Sequence, residues 1–207
     1  SIINSINDST KIIFIANPNN PTGTSVGQEA FDKFMTSIPA DVVVAVDEAY
    51  ADFVGREDFP NSLEWLAQRP GTIVMRTFSK AYGLAGLRVG YGIADVELAG
   101  YLQRARHPFN VNRLAEIAAL AALDDADHLQ TTVQGNAEGR DFLSRGLQEL
   151  GFEVWPSDAN FVLVRVGTDV YEPLLKEGVI VRPMHGFGLP DCIRVSIGTA
   201  EENARLV

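Results

Sequence analysis

Five consecutive apolar residues, Val42-Val43-Val44-Ala45-Val46, closed by Asp47, constrain the fold more than any other feature of this chain. So short a run, with no polar alternation, fits a strand covered on both faces, as in a parallel sheet flanked by helices. Residues 11–16, 72–77 and 89–94 are similar β-branched or apolar runs with turn residues nearby. Helical patterns lie between the first three strands, at residues 27–37 and 61–68. Strand and helix alternating in this way predict βαβ units and an α/β domain. Only about ten residues, Phe78 to Arg88, join the third and fourth strands, whereas a parallel crossover needs a dozen or more. The fourth strand is therefore expected to run antiparallel to the third. The loop between them then sits at the carboxyl end of the third strand, the place where open α/β sheets bind ligands.

From Asp95 to Gly151 the pattern reads as helical throughout. Leu129, Val133, Leu143, Leu147 and Leu150 fit one long amphipathic helix that Gly151 stops. Gly135 and Gly139 weaken its middle. The tail predicts strands at 152–155, 160–166, 179–181 and 192–197 and a helix at 169–177. That is a small α+β domain, and the expected division is residues 1–140 and 141–207. Of the 207 residues 46% are hydrophobic and 21% charged, enough for a sizeable core. The formal charge of −10 opposes a general role on nucleic acid or anionic membrane. No apolar run reaches the length of a membrane span, no signal peptide is visible, and a single cysteine, Cys192, cannot form an internal disulfide. These features predict a cytoplasmic protein. Both ends read as interior sequence, which predicts a fragment.

Four features at or just after predicted strands carry chemistry. Asn17-Pro18-Asn19-Asn20-Pro21-Thr22-Gly23 is a rigid turn bearing amides. Asp47-Glu48-Ala49-Tyr50 ends the second strand, Ser79-Lys80 follows the third, and Gly86-Leu87-Arg88-Val89-Gly90 precedes the fourth. Taken singly, each reads equally well as a loop, a helix cap or a solvated charge. Together they bring an amide, a carboxylate, a phenol, a lysine and an arginine to one sheet edge, the set that pyridoxal phosphate chemistry uses.

Asn-x-Pro-Thr-Gly, Asp-x-x-Tyr and Ser-Lys-x-x-Gly-Leu-x-Gly-x-Arg-x-Gly, in this order, resemble the fold-type I pyridoxal phosphate enzymes of the class I/II aminotransferases. Within that family residues 17–23, 76–88 and 193–199 are most similar to the histidinol-phosphate aminotransferases, and Pro108-Phe109-Asn110-Val111-Asn112 shares their flavour. The resemblance implies a partial, mostly parallel sheet of the large domain plus the smaller C-terminal domain. It implies Lys80 as the Schiff-base lysine and proton carrier, and Asp47 as the partner of the pyridinium nitrogen. Asn20 and Tyr50 would bond the phenolic oxygen, and Thr77, Ser79 and Arg88 the phosphate. Arg194, with Arg182 as a second cation, would meet the anionic end of the substrate.

The implied reaction is transamination between histidinol phosphate and 2-oxoglutarate in histidine biosynthesis, carried out by a homodimer on small-molecule substrates. An aromatic amino acid aminotransferase or a phosphothreonine decarboxylase of the same fold is the alternative within the enzymes. An inactive, cofactor-free folded fragment is the alternative of another class. Family members are longer, and the turn and stacking aromatic that they carry near their amino terminus have no candidate here. Neighbours missing from the sheet would leave its edges unpaired. His107, His128 and His185 show no ligand spacing, so no metal is expected, and Cys192 reads as a buried structural thiol.

Overall fold

The computed structural model describes residues 2–207. Strands β1 (Ile12–Ala16), β2 (Val43–Asp47), β3 (Thr72–Thr77) and β4 (Gly90–Ala94) form one sheet in the order β1-β2-β3-β4. The first three are parallel, with Ala16 opposite Asp47 and Asp47 opposite Met75. β4 runs antiparallel to β3, with Gly90 opposite Thr77, as the short connection demands. Between the strands lie α1 (Gln28–Ser37) and, after a 3-10 turn at Ser62–Glu64, the short α2 (Trp65–Gln68). Phe31, Phe34 and Met35 of α1 pack with Val44, Val46 and Trp65 into a core over this sheet. β1 is less covered: Phe14 is 70% exposed, so the outermost parallel strand leaves an aromatic uncovered.

The helical stretch is three helices: α3 (Val96–Ala105), α4 (Arg113–Leu123) and α5 (Ala126–Glu149). Pro108, Phe109 at φ +55° and the capping Asn112, whose side chain accepts from the Ala115 amide, break the pattern that reads as continuous. α5 passes unbroken through both glycines. At Gly139 a Cβ would lie 2.6 Å from Ile197 Cγ2 and 2.7 Å from Asn203 Nδ2, so the missing side chain serves close packing rather than a helix end. Gly151, at φ +89°, follows the helix in the left-handed conformation expected of a stop.

A second sheet contains β5 (Glu153–Val154), β6 (Phe161–Arg165), β7 (Arg182–Pro183) and β8 (Cys192–Ser196) in the order β5-β6-β8-β7, all antiparallel. It is accompanied by α6 (Tyr171–Lys176) and α7 (Ala200–Leu206). Leu143 and Leu147 of α5 pack with Val162, Val164, Ile193 and Val195. The strand expected at 179–181 is not formed. Gly178 turns the chain at φ +75° and the Val179 amide still bonds to the Leu174 carbonyl at 2.8 Å, so pairing begins only at Arg182.

Among the described residues the backbone divides into two compact units, one of residues 2–17, Val26–Ala49 and Arg56–Ala126, the other of Pro18–Ser25, Tyr50–Gly55 and Asp127–Val207. The expected division at 140/141 falls inside α5, nearly all of which goes with the second unit. No helix among the described residues is long and apolar enough to cross a membrane.

Candidate active site

In the first unit the chemistry gathers at the carboxyl edge of the sheet. Asp47 ends β2 half-buried, and its Oδ1 accepts from the Ala49 amide at 3.0 Å, which orients the carboxylate. Thr77 ends β3, and its hydroxyl oxygen accepts from the Ser79 amide at 3.1 Å, leaving the hydroxyl proton for another acceptor. Lys80 is half-buried between two anchors, Phe78 (4% exposed) and Ala81 (fully buried). The loop is closed beneath it by Leu84 N–H to the Phe78 carbonyl and Gly83 N–H to the Lys80 carbonyl, both 2.9 Å. Tyr82 and Tyr91 pack against Phe78 with tilted rings, centroids at 5.0 and 5.6 Å. A loop pinned at so many points holds its lysine in one place.

Arg88 stands at φ +56°, a left-handed conformation uncommon outside glycine, and donates from Nη1 to the Ala85 carbonyl at 2.8 Å. It is exposed, and the β4 it introduces starts at the same edge because β4 is antiparallel. Gly90 lets β4 approach there: a Cβ would lie 2.7 Å from the Arg76 carbonyl oxygen.

Asn20, Tyr50, Arg194 and Arg182 belong to the second unit. Two of them, Tyr50 and Arg194, meet at Phe161, which is 2% exposed. Tyr50 meets its ring edge-on at 5.2 Å and 89°. The Arg194 guanidinium lies over it at 4.9 Å from the centroid. Arg194 Nη1 also donates to Asn20 Oδ1 at 2.5 Å. The turn that carries Asn20 is rigid, as its composition predicts. Asn19 N–H bonds to the Thr24 carbonyl at 2.8 Å, Gly23 N–H to the Asn19 carbonyl at 2.7 Å, and the Asn19 amide to Thr22 Oγ1 at 2.8 Å. Its base belongs to the first unit, where the buried Asn17 accepts from the Val26 amide at 2.9 Å.

Arg182 is the register partner of Arg194 across β7 and β8. Two cations directly opposite on neighbouring strands repel unless an anion lies between them. Arg194 Nε is buried and has no acceptor among the described residues.

Sequence reasoning does not single out Phe161, since an aromatic in a strand signals packing alone. Glu48 and Arg76 are also missed, although each adjoins a candidate. Cys192 is 2% exposed, and burial, with Asp191 beside it, pushes its thiol up to about 11, which disfavours the nucleophilic thiolate.

Over residues 1–207 the chain matches the family of class I and II aminotransferases. It is 53% identical over 205 residues to histidinol-phosphate aminotransferase 2 of Methylococcus capsulatus, covering 98% of this chain and 55% of that protein. The chain spans about half the length of the curated relatives it matches. The crystal structure of histidinol-phosphate aminotransferase from Sinorhizobium meliloti in complex with pyridoxal-5'-phosphate is similar at a TM-score of 0.85 and 33% identity, covering 94% of this chain and 55% of that one. L-threonine-O-3-phosphate decarboxylase from Porphyromonas gingivalis is similar at a TM-score of 0.82 and 25% identity, covering 99% of this chain and 65% of that one.

Proposed function

The chain belongs to the class I and II aminotransferases, and on that premise we propose that the protein carrying it uses pyridoxal phosphate to transfer an amino group between histidinol phosphate and 2-oxoglutarate. The observation that carries the substrate reading is the cross-strand pair Arg182 and Arg194, with the buried, unsatisfied Arg194 Nε. An arginine fork accepts a phosphate or a carboxylate equally well, which suits a site that must take a phosphate ester in one half-reaction and a dicarboxylic acid in the other.

The donor set at the sheet edge fits the cofactor: a half-buried carboxylate, a half-buried amine, and a hydroxyl and an arginine with donors to spare. Pyridoxal phosphate, when bound, supplies the electron sink that loosens bonds at the amino-bearing carbon. Asp47 holds the pyridinium proton in place, the task of a carboxylate fixed by a backbone amide. Lys80 Nζ would hold the cofactor covalently and would carry the proton at the amino-bearing carbon. Thr77, Ser79 and Arg88 bind the phosphate. Backbone strain at Arg88 is consistent with that role, since a left-handed non-glycine residue persists where its side chain is needed. Asn20 and Tyr50 donate toward the phenolic oxygen, and Arg194 orients Asn20 by their hydrogen bond. The same reading makes the protein a cytoplasmic homodimer.

The test is a substrate panel on the full-length protein. Turnover of histidinol phosphate with 2-oxoglutarate is expected. Turnover of phenylalanine without histidinol phosphate, or carbon dioxide release from phosphothreonine, would overturn the choice of substrate.

A further inference from the structure

Glu48 is a buried carboxylate that the reaction as described does not use. Its side chain is 1% exposed, and Arg76 brings both Nε (2.9 Å) and Nη2 (2.8 Å) to the single oxygen Oε2. Oε1 is buried with no hydrogen-bond partner among the described residues. A pair made of good apolar packing would cost less than a half-satisfied buried carboxylate, so stability alone explains it poorly.

Its position offers another explanation. Glu48 directly follows Asp47, and Arg76 directly precedes Thr77, three residues before Ser79 and four before Lys80. The backbone ladder carries on past the end of β2, with Glu48 N–H to the Met75 carbonyl at 2.9 Å. Arg76 is in turn paired with Tyr91 on β4, and Gly90 lets that strand close against its carbonyl. The ion pair therefore ties the carboxyl ends of two parallel strands at the point where each hands over to a candidate site residue. Side chains alternate along a strand, so Arg76 and Thr77 leave β3 on opposite faces, and the pair can brace the edge from the side that Thr77 does not occupy.

We propose that Glu48 and Arg76 are positioning residues that fix the separation of Asp47 from the Thr77–Lys80 loop. This rests on the cofactor reading above. Displacement of a reacting group by about 1 Å costs roughly 100-fold in rate, so a small relaxation between the strand ends is enough to be measured.

The test compares wild type, Glu48→Met/Arg76→Met and Arg76→Lys in the full-length protein. Each is followed by thermal midpoint, by the absorbance of bound pyridoxal phosphate between 320 and 430 nm, and by kcat and KM. Apolar replacement of a buried ion pair is often neutral or stabilising, and here Glu48 is buried while Arg76 is 33% exposed. The double variant is thus expected to keep the wild-type midpoint while its bound-cofactor absorbance shifts and kcat falls roughly 10- to 100-fold. Its KM is expected to stay within about twofold. Arg76→Lys keeps the charge but loses the fork, and the same shift with a smaller drop in kcat is expected. Wild-type absorbance and kcat in a stable double variant would overturn the proposal. If the double variant does not fold, wild-type absorbance and kcat in Arg76→Lys would overturn it equally. A wild-type protein that takes up no pyridoxal phosphate would instead bring down the cofactor reading, and the positioning role with it.

Discussion

The two clusters are built on different principles. At the edge of the first sheet, Asp47, Thr77, Ser79 and Lys80 lie within 34 residues of sequence and hang from parallel strand ends, fixed by backbone amides. Around Phe161, Asn20 and Arg194 are 174 residues apart, and ring contacts and one side-chain hydrogen bond hold the group together. In the first arrangement backbone amides orient the Asp47 carboxylate and the Thr77 hydroxyl. The second depends on contacts between side chains brought together from distant parts of the sequence. The contrast teaches that side chains close in sequence can be oriented by backbone amides, whereas side chains far apart in sequence depend on one another.

That contrast can be broken in graded ways. The largest effect is expected from Lys80→Ala, which on the proposed function removes both anchor and proton carrier. Transamination should fall by about 10⁴-fold, measured by glutamate formation, with the thermal midpoint unchanged. Phe161→Ala should cost the second unit about 3–5 kcal/mol, read from denaturant unfolding, because it empties a site that is 2% exposed. Cofactor attachment at Lys80 should survive it. Loss of attachment as well would show that Phe161 supports the cofactor and not only the packing of the second unit.

Arg194→Lys should raise KM for the phosphate ester about tenfold or more, since a point charge replaces a fork that also bonds Asn20. Arg88→Gly sharpens the comparison by separating stability from binding. Relief of the left-handed strain should leave stability unchanged or raise it by about 1 kcal/mol, while pyridoxal phosphate binding, followed by titration, weakens. Weaker stability with intact binding would show that the arginine serves the turn alone.

The smallest effect is a pH dependence. The Cys192 thiol is raised in the fold to about 11, chiefly by burial. Above pH 9 the unfolded chain therefore holds fewer protons at this site than the folded one, and stability falls as pH rises toward 11. Cys192→Ala should flatten that part of the stability profile, and below pH 8 the slope should not change.

Much of this was legible without coordinates, for identifiable reasons. Strands such as Val43–Asp47 announce themselves by local composition, and the antiparallel turn of β4 follows from connection length. The candidates at the sheet edge were legible because each follows a strand. Register was not. That Arg182 faces Arg194, or that Arg76 reaches Glu48, depends on pairing between strands far apart in sequence. Phe161 was hidden because a ring that meets a phenol and an arginine looks in sequence like any core aromatic. Gly139 misled for a related reason: its cause is Asn203, sixty-four residues away. The break at 106–112 was written locally, in Pro108, yet the strong apolar pattern on either side masked it.

The central claim is that Lys80 is the residue that holds the cofactor, and it can be tested directly. The chain contains four lysines, Lys11, Lys33, Lys80 and Lys176. The full-length protein would be incubated with pyridoxal phosphate, reduced with borohydride, digested and mapped by mass spectrometry. The account predicts a stoichiometric pyridoxyl adduct on the peptide containing Lys80, lost when amino donor is added before reduction. An adduct spread over Lys11, Lys33 and Lys176 with none on Lys80 would contradict it.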